Sequence, residues 1–289
     1  MNFGIYINKN KSNLKHILDI VIKELSSSDD KIIYLNEHEF ISSLIGKDCI
    51  INKKESDYDI LITIGGDGTI LSAIRSEYKK EKPILGIHAG KLGFLAESDI
   101  KNCKKNLKLI KNSMFDIETR SLFEIELSTD KNNKYICANE IVIDRGQSAR
   151  TMKANVYENN LFVNRYEGDG LIISTANGST AYSLSAGGPI IYPSLDLITI
   201  TPICSHSLST RTIVLNGGSD ITIDFPDQKS SRILTIDGQV EFEIKDDIKV
   251  NIRSSSKKVH FLLTEESDYF NKLRNKMGWF NSLDDKNNY

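Results

Sequence analysis

Asp59-Ile60-Leu61-Ile62-Thr63-Ile64-Gly65-Gly66-Asp67-Gly68-Thr69 is an apolar run that stops on a glycine-rich turn carrying a single carboxylate. Ile60 to Ile64 lack the alternation of a half-buried strand and read instead as a parallel strand covered on both faces. Ile70-Leu71-Ser72-Ala73-Ile74 then begin a helical apolar pattern, so the turn connects a strand to a helix. Ligands of open α/β sheets bind at that edge. Glycines allow positive φ and close backbone approach, and free N–H groups at a helix start attract anions. Gly65, Gly66 and Thr69 are therefore candidate phosphate-binding residues. A carboxylate beside a phosphate needs a reason, which a divalent cation, a sugar hydroxyl or a proton to be removed would each supply. The pentapeptide leaves those uses of Asp67 open, along with a tight turn capped by the aspartate.

Working outward, the first part of the chain alternates strand and helix. Strands are expected at Asn2 to Ile7, Ile32 to Leu35, Ile60 to Ile64 and Ile84 to His88, with helices at Leu14 to Leu25, Glu37 to Leu44, Thr69 to Tyr78 and Asp99 to Lys111. That order implies a parallel sheet with covering helices. Beyond it the helical period vanishes and short strands follow one another. The expected set includes Phe123 to Leu127, Tyr135 to Ile143, Thr151 to Tyr157, Asn160 to Tyr166, Gly170 to Ser174, Leu197 to Thr201, Ile221 to Phe225, Ile233 to Ile236, Val240 to Ile244, Ile248 to Ile252 and Val259 to Leu263. Asn159-Asn160 and Asp237-Gly238 suit tight reversals, and Lys131 to Lys134 read as a polar loop. Tyr269, Phe270, Leu273, Met277 and Trp279 recur at helical spacing, and Ser282 to Tyr289 read as a frayed polar tail.

The expected fold class is thus an N-terminal Rossmann-like α/β domain with a C-terminal β-rich, sandwich-like domain. The C-terminal helix returns to the first domain. Residues 1–112 with 264–289 would form the α/β domain, and 113–263 the β-rich one.

Composition narrows the partners. A formal net charge of -2 over 289 residues gives no bias toward polyanions, so nucleic acid is not expected. The amino terminus is a short alternating strand with no basic segment and apolar core of a leader, and no apolar run approaches membrane-spanning length. A cytoplasmic protein without a membrane partner is expected. Cys49, Cys103, Cys137 and Cys204 are widely spaced, which favours idle thiols over a disulfide framework or structural zinc.

Asn139-Glu140 sits in a strand pattern, where adjacent side chains point to opposite faces, so one faces inward or toward a ligand. An amide and a carboxylate together can grip a sugar diol or a base edge. The stretch from Glu167 to Pro189 packs three glycine-rich turns around one apolar strand. In it, Asn177-Gly178-Ser179-Thr180 offers turn backbone, hydroxyls and a helix N-cap suited to phosphate or ribose, and Tyr182 offers a ring for stacking. Asp169, between two glycines, repeats the logic of Asp67. His88 to Phe94 belong to the same sheet edge as Asp67, where Lys91 could meet a phosphate and Phe94 a base; taken singly, packing or capping explains such residues better. Arg145 and Arg150 add positive charge near Asn139 and Glu140. The chain lacks a GxxxxGK[ST] loop, a GxGxxG after a strand and a kinase-type catalytic loop, which disfavours P-loop enzymes, typical nicotinamide dehydrogenases and protein kinases.

Taken together, Gly65 to Thr69, Asn139-Glu140, Gly168-Asp169-Gly170, Asn177 to Pro189 and Asp237-Gly238-Gln239 resemble the NAD kinase family in order and spacing, from about residue 59 to Trp279. Leu273 to Trp279 also look like the family's C-terminal segment. The resemblance implies transfer of the terminal phosphate of ATP, or of polyphosphate, to the 2′-hydroxyl of the adenosine ribose of NAD, giving NADP. It implies Asp67 as general base, Gly68 as the glycine that lets NAD approach, and Asn139 with Glu140 on the ribose hydroxyls. Arg150, Asp169, Thr180, Ala181, Tyr182, Ser183, Leu184, Ser185 and Gln239 fall on further NAD-contacting positions. Three positions depart from the pattern: Ala176-Asn177 replaces a Pro-Thr or Pro-Ser pair, and Glu167 brings negative charge where relatives vary. Asn177 keeps a polar donor and acceptor, so it and Glu167 stay among the NAD-site candidates. The family also implies an active site between the domains, Mg²⁺ or another divalent cation, and a homodimer or homotetramer. No dedicated metal-ligand cluster is visible in the sequence. The competing readings are a lipid or small-alcohol kinase sharing the glycine-rich aspartate turn, and a non-catalytic NAD(P)-binding sensor.

Overall fold

A computed structural model describes residues 1–26, 31–45, 57–90, 93–226, 232–245, 247–265 and 267–279. Lys91 and the expected polar tail at 282–289 lie outside the described residues, as does Cys49. The chain folds as two compact units. One comprises Met1–Ile70, Ile84–Ile117 and the chain from Leu262 on; the other comprises Leu71–Pro83 and Glu118–Phe261. The partition differs from the expected 112/113 boundary, and residues 71–83 group with the second unit.

In the first unit β1 (Asn2–Ile7), α1 (Leu14–Leu25), β2 (Lys31–Tyr34), α2 (His38–Ile45), β3 (Ile60–Gly65), the start of α3 (Asp67–Glu77), β4 (Ile84–His88) and α4 (Ile100–Lys111) follow in order. The strands lie parallel as β2-β1-β3-β4. Every residue of β3 and β4 is buried, which is why both read as continuous apolar runs. Leu14, Ile17, Leu18, Val21 and Leu25 put one face of α1 into the core, at the spacing a 3.6-residue period requires. Asp99 caps α4 by accepting from the Asn102 N–H at 2.8 Å. Helix α3 begins at Asp67, two residues before the expected start, so the aspartate occupies the first helical turn.

The second unit holds β5 (Asp116–Leu127, which enters from the first unit), β6 (Asp130–Cys137), β7 (Glu140–Asp144), β8 (Met152–Glu158), β9 (Leu161–Gly168) and β10 (Gly170–Thr175). A 3₁₀ turn (Asn177–Thr180) and α5 (Tyr182–Ser185) come next. They are followed by β11 (Leu197–Ile203), β12 (Ile213–Asn216), β13 (Ile221–Asp224), β14 (Arg232–Ile236), β15 (Val240–Ile244) and β16 (Val250–Leu263). One layer runs β12-β11-β10-β7-β14-β15, every pair antiparallel. The other carries β16-β13-β8-β9, with β5 beside β16 and β6 beside β5. Ile143, Leu171, Ile173 and Ile200 of the first layer and Phe123, Val156, Ile223 and Ile252 of the second share one buried core, the expected sandwich arrangement. Asn159, Asn160, Asp237 and Gly238 all have positive φ, as their reversals require.

Three expectations are corrected. The single strand at 135–143 breaks at Ala138–Asn139 into β6 and β7, because a side chain from elsewhere takes both backbone N–H groups. The expected loop at 131–134 is strand, and the reversal lies at Ser128–Thr129. The strands expected at 248–252 and 259–263 are one strand, β16, whose polar middle Arg253 to Lys258 stays extended and keeps most of its side chains partly or fully exposed. Edge strand β12 escaped notice because its residues are all half-buried or exposed.

The last element is α6 (Tyr269–Met277), capped by Asp268 on the Asn271 N–H at 3.0 Å and ended by Gly278 in the left-handed conformation. It belongs to the first unit, where Lys272 pairs with Glu97 and Ser267 donates to Glu97 Oε2 at 2.8 Å. Among the described residues no helix is long and apolar enough to cross a membrane.

Candidate active site

Strand β3 ends at Gly65, where a Cβ would overlap the Thr69 side chain. The chain then turns into α3, with the Thr69 N–H bonded to the Gly66 carbonyl at 2.9 Å and the Gly66 N–H facing Thr69 Oγ1 at 3.4 Å. Gly68 is exposed, Gly66 and Asp67 are half-buried, and Gly65 and Thr69 are buried. The Asp67 carboxylate accepts from the backbone N–H groups of Phe94 at 2.8 Å and Leu95 at 3.3 Å. A Cβ on Gly93 would overlap that carboxylate, so any side chain there would displace Asp67. Phe94 contributes a backbone donor that fixes Asp67. The expected adjacency of the two segments holds, as Gly65 pairs with His88 across β3 and β4.

His88 is buried at the end of β4, and its Nδ1 accepts from the Gly90 N–H at 2.7 Å. The proton therefore sits on Nε2 in the neutral ring, and Nε2 lies on the side of Gly66. Burial lowers the His88 pKa, and the neighbouring Asp67 carboxylate opposes that shift.

In the second unit the break at Ala138–Asn139 is made by Asp237. Its side chain is fully buried and accepts from the N–H groups of Ala138 (3.1 Å) and Asn139 (2.7 Å), from Cys137 Sγ (3.2 Å) and from Arg75 Nη1 (2.9 Å). Arg75 also donates to Gln239 Oε1, so exposed Gln239 is held in place from α3. The kink presents Asn139 and Glu140 together. Asn139 Oδ1 accepts from Asn177 Nδ2 at 2.6 Å, while Asn177 Oδ1 accepts from buried Arg120 at 2.5 Å. Asn177 is thus a support behind Asn139, and the N-cap positions of the 3₁₀ turn and of α5 fall on Ala176 and Ala181. Gly178 is required there, because a Cβ would overlap the Asn139 carbonyl.

Glu140 is buried and leaves Oε2 without a hydrogen-bond partner, an orphaned acceptor of the kind that a ligand hydroxyl satisfies. Burial first and the Asp237 carboxylate second push its pKa from 4.5 up to about 8, against the Tyr182 backbone N–H, which lowers it. The folded state therefore binds more protons than the unfolded chain between about 4.5 and about 8. This group's contribution to stability is full below that window and is lost as pH rises through it. A ligand hydroxyl donates best to the ionised carboxylate, so a hydroxylated ligand seated on Glu140 is expected to bind more tightly as pH rises from about 6.5 toward about 9. Glu140→Gln should flatten that rise; calorimetric titration with a ribose-bearing nucleotide over this range checks it.

The other candidates fall into two groups. Tyr182 is 46% exposed and free to stack, Gly68 and Ser185 are exposed, and Thr180, Ala181 and Leu184 are partly exposed. Ser183, by contrast, is buried with its hydroxyl 3.2 Å from Thr201 Oγ1. Asp169 pairs with Arg145 at 2.8 Å, Glu167 faces Thr151 Oγ1 at 3.4 Å, and Arg150 is exposed. Arg75, Arg120 and Asp237 were missed as determinants of this site. Only Asp237 carries a signal, as a tight Asp-Gly reversal and as part of the Asp237-Gly238-Gln239 motif of the family resemblance, and neither speaks of the carboxylate's role.

An α/β unit with a carboxylate pinned on a glycine-rich turn, joined to a β-sandwich whose kink carries a buried amide and a buried carboxyl with one unsatisfied oxygen, is the framework of a nucleotide-handling phosphotransferase. The ATP-NAD kinase N-terminal domain family matches residues 6–115, and the ATP-NAD kinase C-terminal domain family matches residues 138–264. The NAD kinase of Clostridium botulinum (strain Loch Maree / Type A3) is 38% identical over 283 residues, covering 96% of both chains. The NAD kinase of Clostridium beijerinckii is 38% identical over 278 residues, covering 96% of this chain and 95% of that one. Among solved structures, yeast NADH kinase complexed with NADH superposes with a TM-score of 0.86 at 26% identity, covering 98% of this chain and 89% of the other. The Archaeoglobus fulgidus NAD kinase in complex with ATP gives 0.73 at 23% identity, covering 96% and 99%, a likeness of fold.

The chain belongs to the NAD kinase family. It phosphorylates NAD to NADP, with ATP and NAD as its substrates.

Proposed function

We propose that the γ-phosphate of ATP passes to the 2′-hydroxyl of the adenosine ribose of NAD, with Asp67 as the general base. The observation that carries this reading is the Asp67 carboxylate, held by two backbone N–H groups at the head of α3 and still able to accept from a ligand. Phosphoryl transfer has a loose transition state, so positioning and charge neutralisation outweigh activation of the nucleophile. Asp67 orients the hydroxyl and takes its proton as the new bond forms. Asn139 and Glu140 hold ribose hydroxyls, with Asn177 and Arg120 fixing the Asn139 amide. Tyr182 stacks, and Gly68 leaves room for NAD. Gly65, Gly66 and Thr69 receive phosphate at the turn. Thr180, Ala181, Ser183, Leu184, Ser185 and Gln239 shape the remaining NAD contacts, and Arg150, Asp169, Asn177 and Glu167 modulate them.

A divalent cation such as Mg²⁺ fits this chemistry. Mg²⁺ keeps several waters and is held through substrate phosphates and one or two carboxylates, so it needs no protein cage. Asp67 has acceptor capacity left after its two backbone bonds and is the carboxylate that fits. When bound, the cation supplies charge neutralisation of the donor phosphates.

Polyphosphate as an alternative donor, a homodimer or homotetramer, and a cytoplasmic location complete the proposal. The deciding assay incubates the purified protein with Mg·ATP and NAD, then with polyphosphate in place of ATP and with NADH in place of NAD. NADP from the first mixture, with the 2′ position phosphorylated, supports the reading. A product phosphorylated elsewhere would overturn the assignment of the 2′-hydroxyl.

A further inference from the structure

The Gly65–Thr69 turn lacks the lysine with which P-loop enzymes meet the β- and γ-phosphates. Helix α6 carries two lysines beside Gly93. A cavity of about 240 Å³ in the first unit is lined by Gly93 and by Asn271, Lys272, Asn275 and Lys276. The α6 residues form two pairs at i, i+4 spacing, so two amides and two ammonium groups line one face of the helix. Gly93 is also the residue that packs on the Asp67 carboxylate, which sets this cavity against the turn.

The two lysines differ. Lys272 is committed to Glu97, whose side chain is only 3% exposed. Lys276 is exposed, and with Lys11 it lies near enough to His88 to oppose that ring's protonation, while Asp67 favours it. Its charge therefore already reaches the end of β4 beside Gly65 and Gly66. Surface lysines in a last helical turn also complement the helix dipole, but that role places no amides and no cavity beside them.

We propose that the α6 cavity takes the phosphate chain of the donor, with Lys276 as its charged ligand and Asn271 and Asn275 as amide donors. The inference rests on the reading that a nucleoside triphosphate is the donor. The test uses inorganic tripolyphosphate as a probe, titrated calorimetrically into the full chain without NAD, together with separate KM values for ATP and NAD. Lys276→Met is expected to weaken tripolyphosphate binding about tenfold and to raise the KM for ATP by a similar factor, as loss of a charge-assisted contact requires. The KM for NAD should not move, and Lys276→Arg should retain most of the binding. Circular dichroism and the thermal midpoint should match the parent, since the side chain is exposed. Equal tripolyphosphate affinity in parent and Lys276→Met overturns the proposal, as does an equal rise in both KM values. If the parent makes no NADP from ATP yet binds tripolyphosphate through Lys276, the donor assignment falls and the anion subsite stands.

Discussion

Asp67→Asn is expected to lower NADP formation by about 10²–10⁴-fold, the usual contribution of a positioned general base, while leaving NAD affinity near that of the parent. The amide is nearly the size of the carboxylate, and its Oδ1 can still accept from Phe94 or Leu95, so the turn keeps its shape. Losing one of those two contacts to a charged acceptor costs about 1.5–3 kcal/mol, less than the stability of an ordinary domain. The split between turnover and binding is the informative part. A steady-state assay with saturating ATP and NAD, paired with calorimetric NAD binding, measures both, and near-parental turnover would end the assignment of Asp67 as base.

Asp237→Ala is expected to produce the largest loss of stability, about 3–5 kcal/mol, because it breaks a buried ion pair from one side. Arg75 would lose its carboxylate partner, and the N–H groups of Ala138 and Asn139 would be left without an acceptor in the core. The kink that presents Asn139 and Glu140 depends on those bonds, so NAD affinity should fall with stability. Urea unfolding followed by circular dichroism gives the first quantity. A second readout separates electrostatics from collapse: Asp237 is the second cause of the raised Glu140 pKa, so Asp237→Asn should move the pH dependence of NAD binding toward lower pH. An unchanged profile in a folded Asp237→Asn protein would remove Asp237 from the control of Glu140.

Local pattern carried most of the fold. The buried runs of β3 and β4 and the apolar faces of α1 and α4 each announce themselves over a few residues, because burial on one or both faces imposes a period on the chain. Where pattern failed, a long-range contact had overridden it. Ala138–Asn139 reads as strand, yet a carboxylate about a hundred positions away in sequence takes its hydrogen bonds. The middle of β16 reads as a loop, yet its backbone stays extended while its side chains meet water.

The site divides in the same way. Residue type, spacing and family resemblance single out Asp67, Asn139 and Glu140 as candidates. The supports were not: Arg120 behind Asn177, Arg75 on Asp237, and the Phe94 and Leu95 N–H groups on Asp67 are contacts between segments far apart in the chain.

The sequence by itself determined an α/β unit followed by a β-rich one, a carboxylate on a glycine-rich turn, and the family to which these belong, because each is written in short local motifs and in their order along the chain. Only the tertiary structure decided which polar groups are buried and what holds them. The burial that raises the Glu140 pKa, the acceptor that kinks the chain before it, and the α6 lysine beside Gly93 arise from solvent exclusion and from segments that meet only on folding.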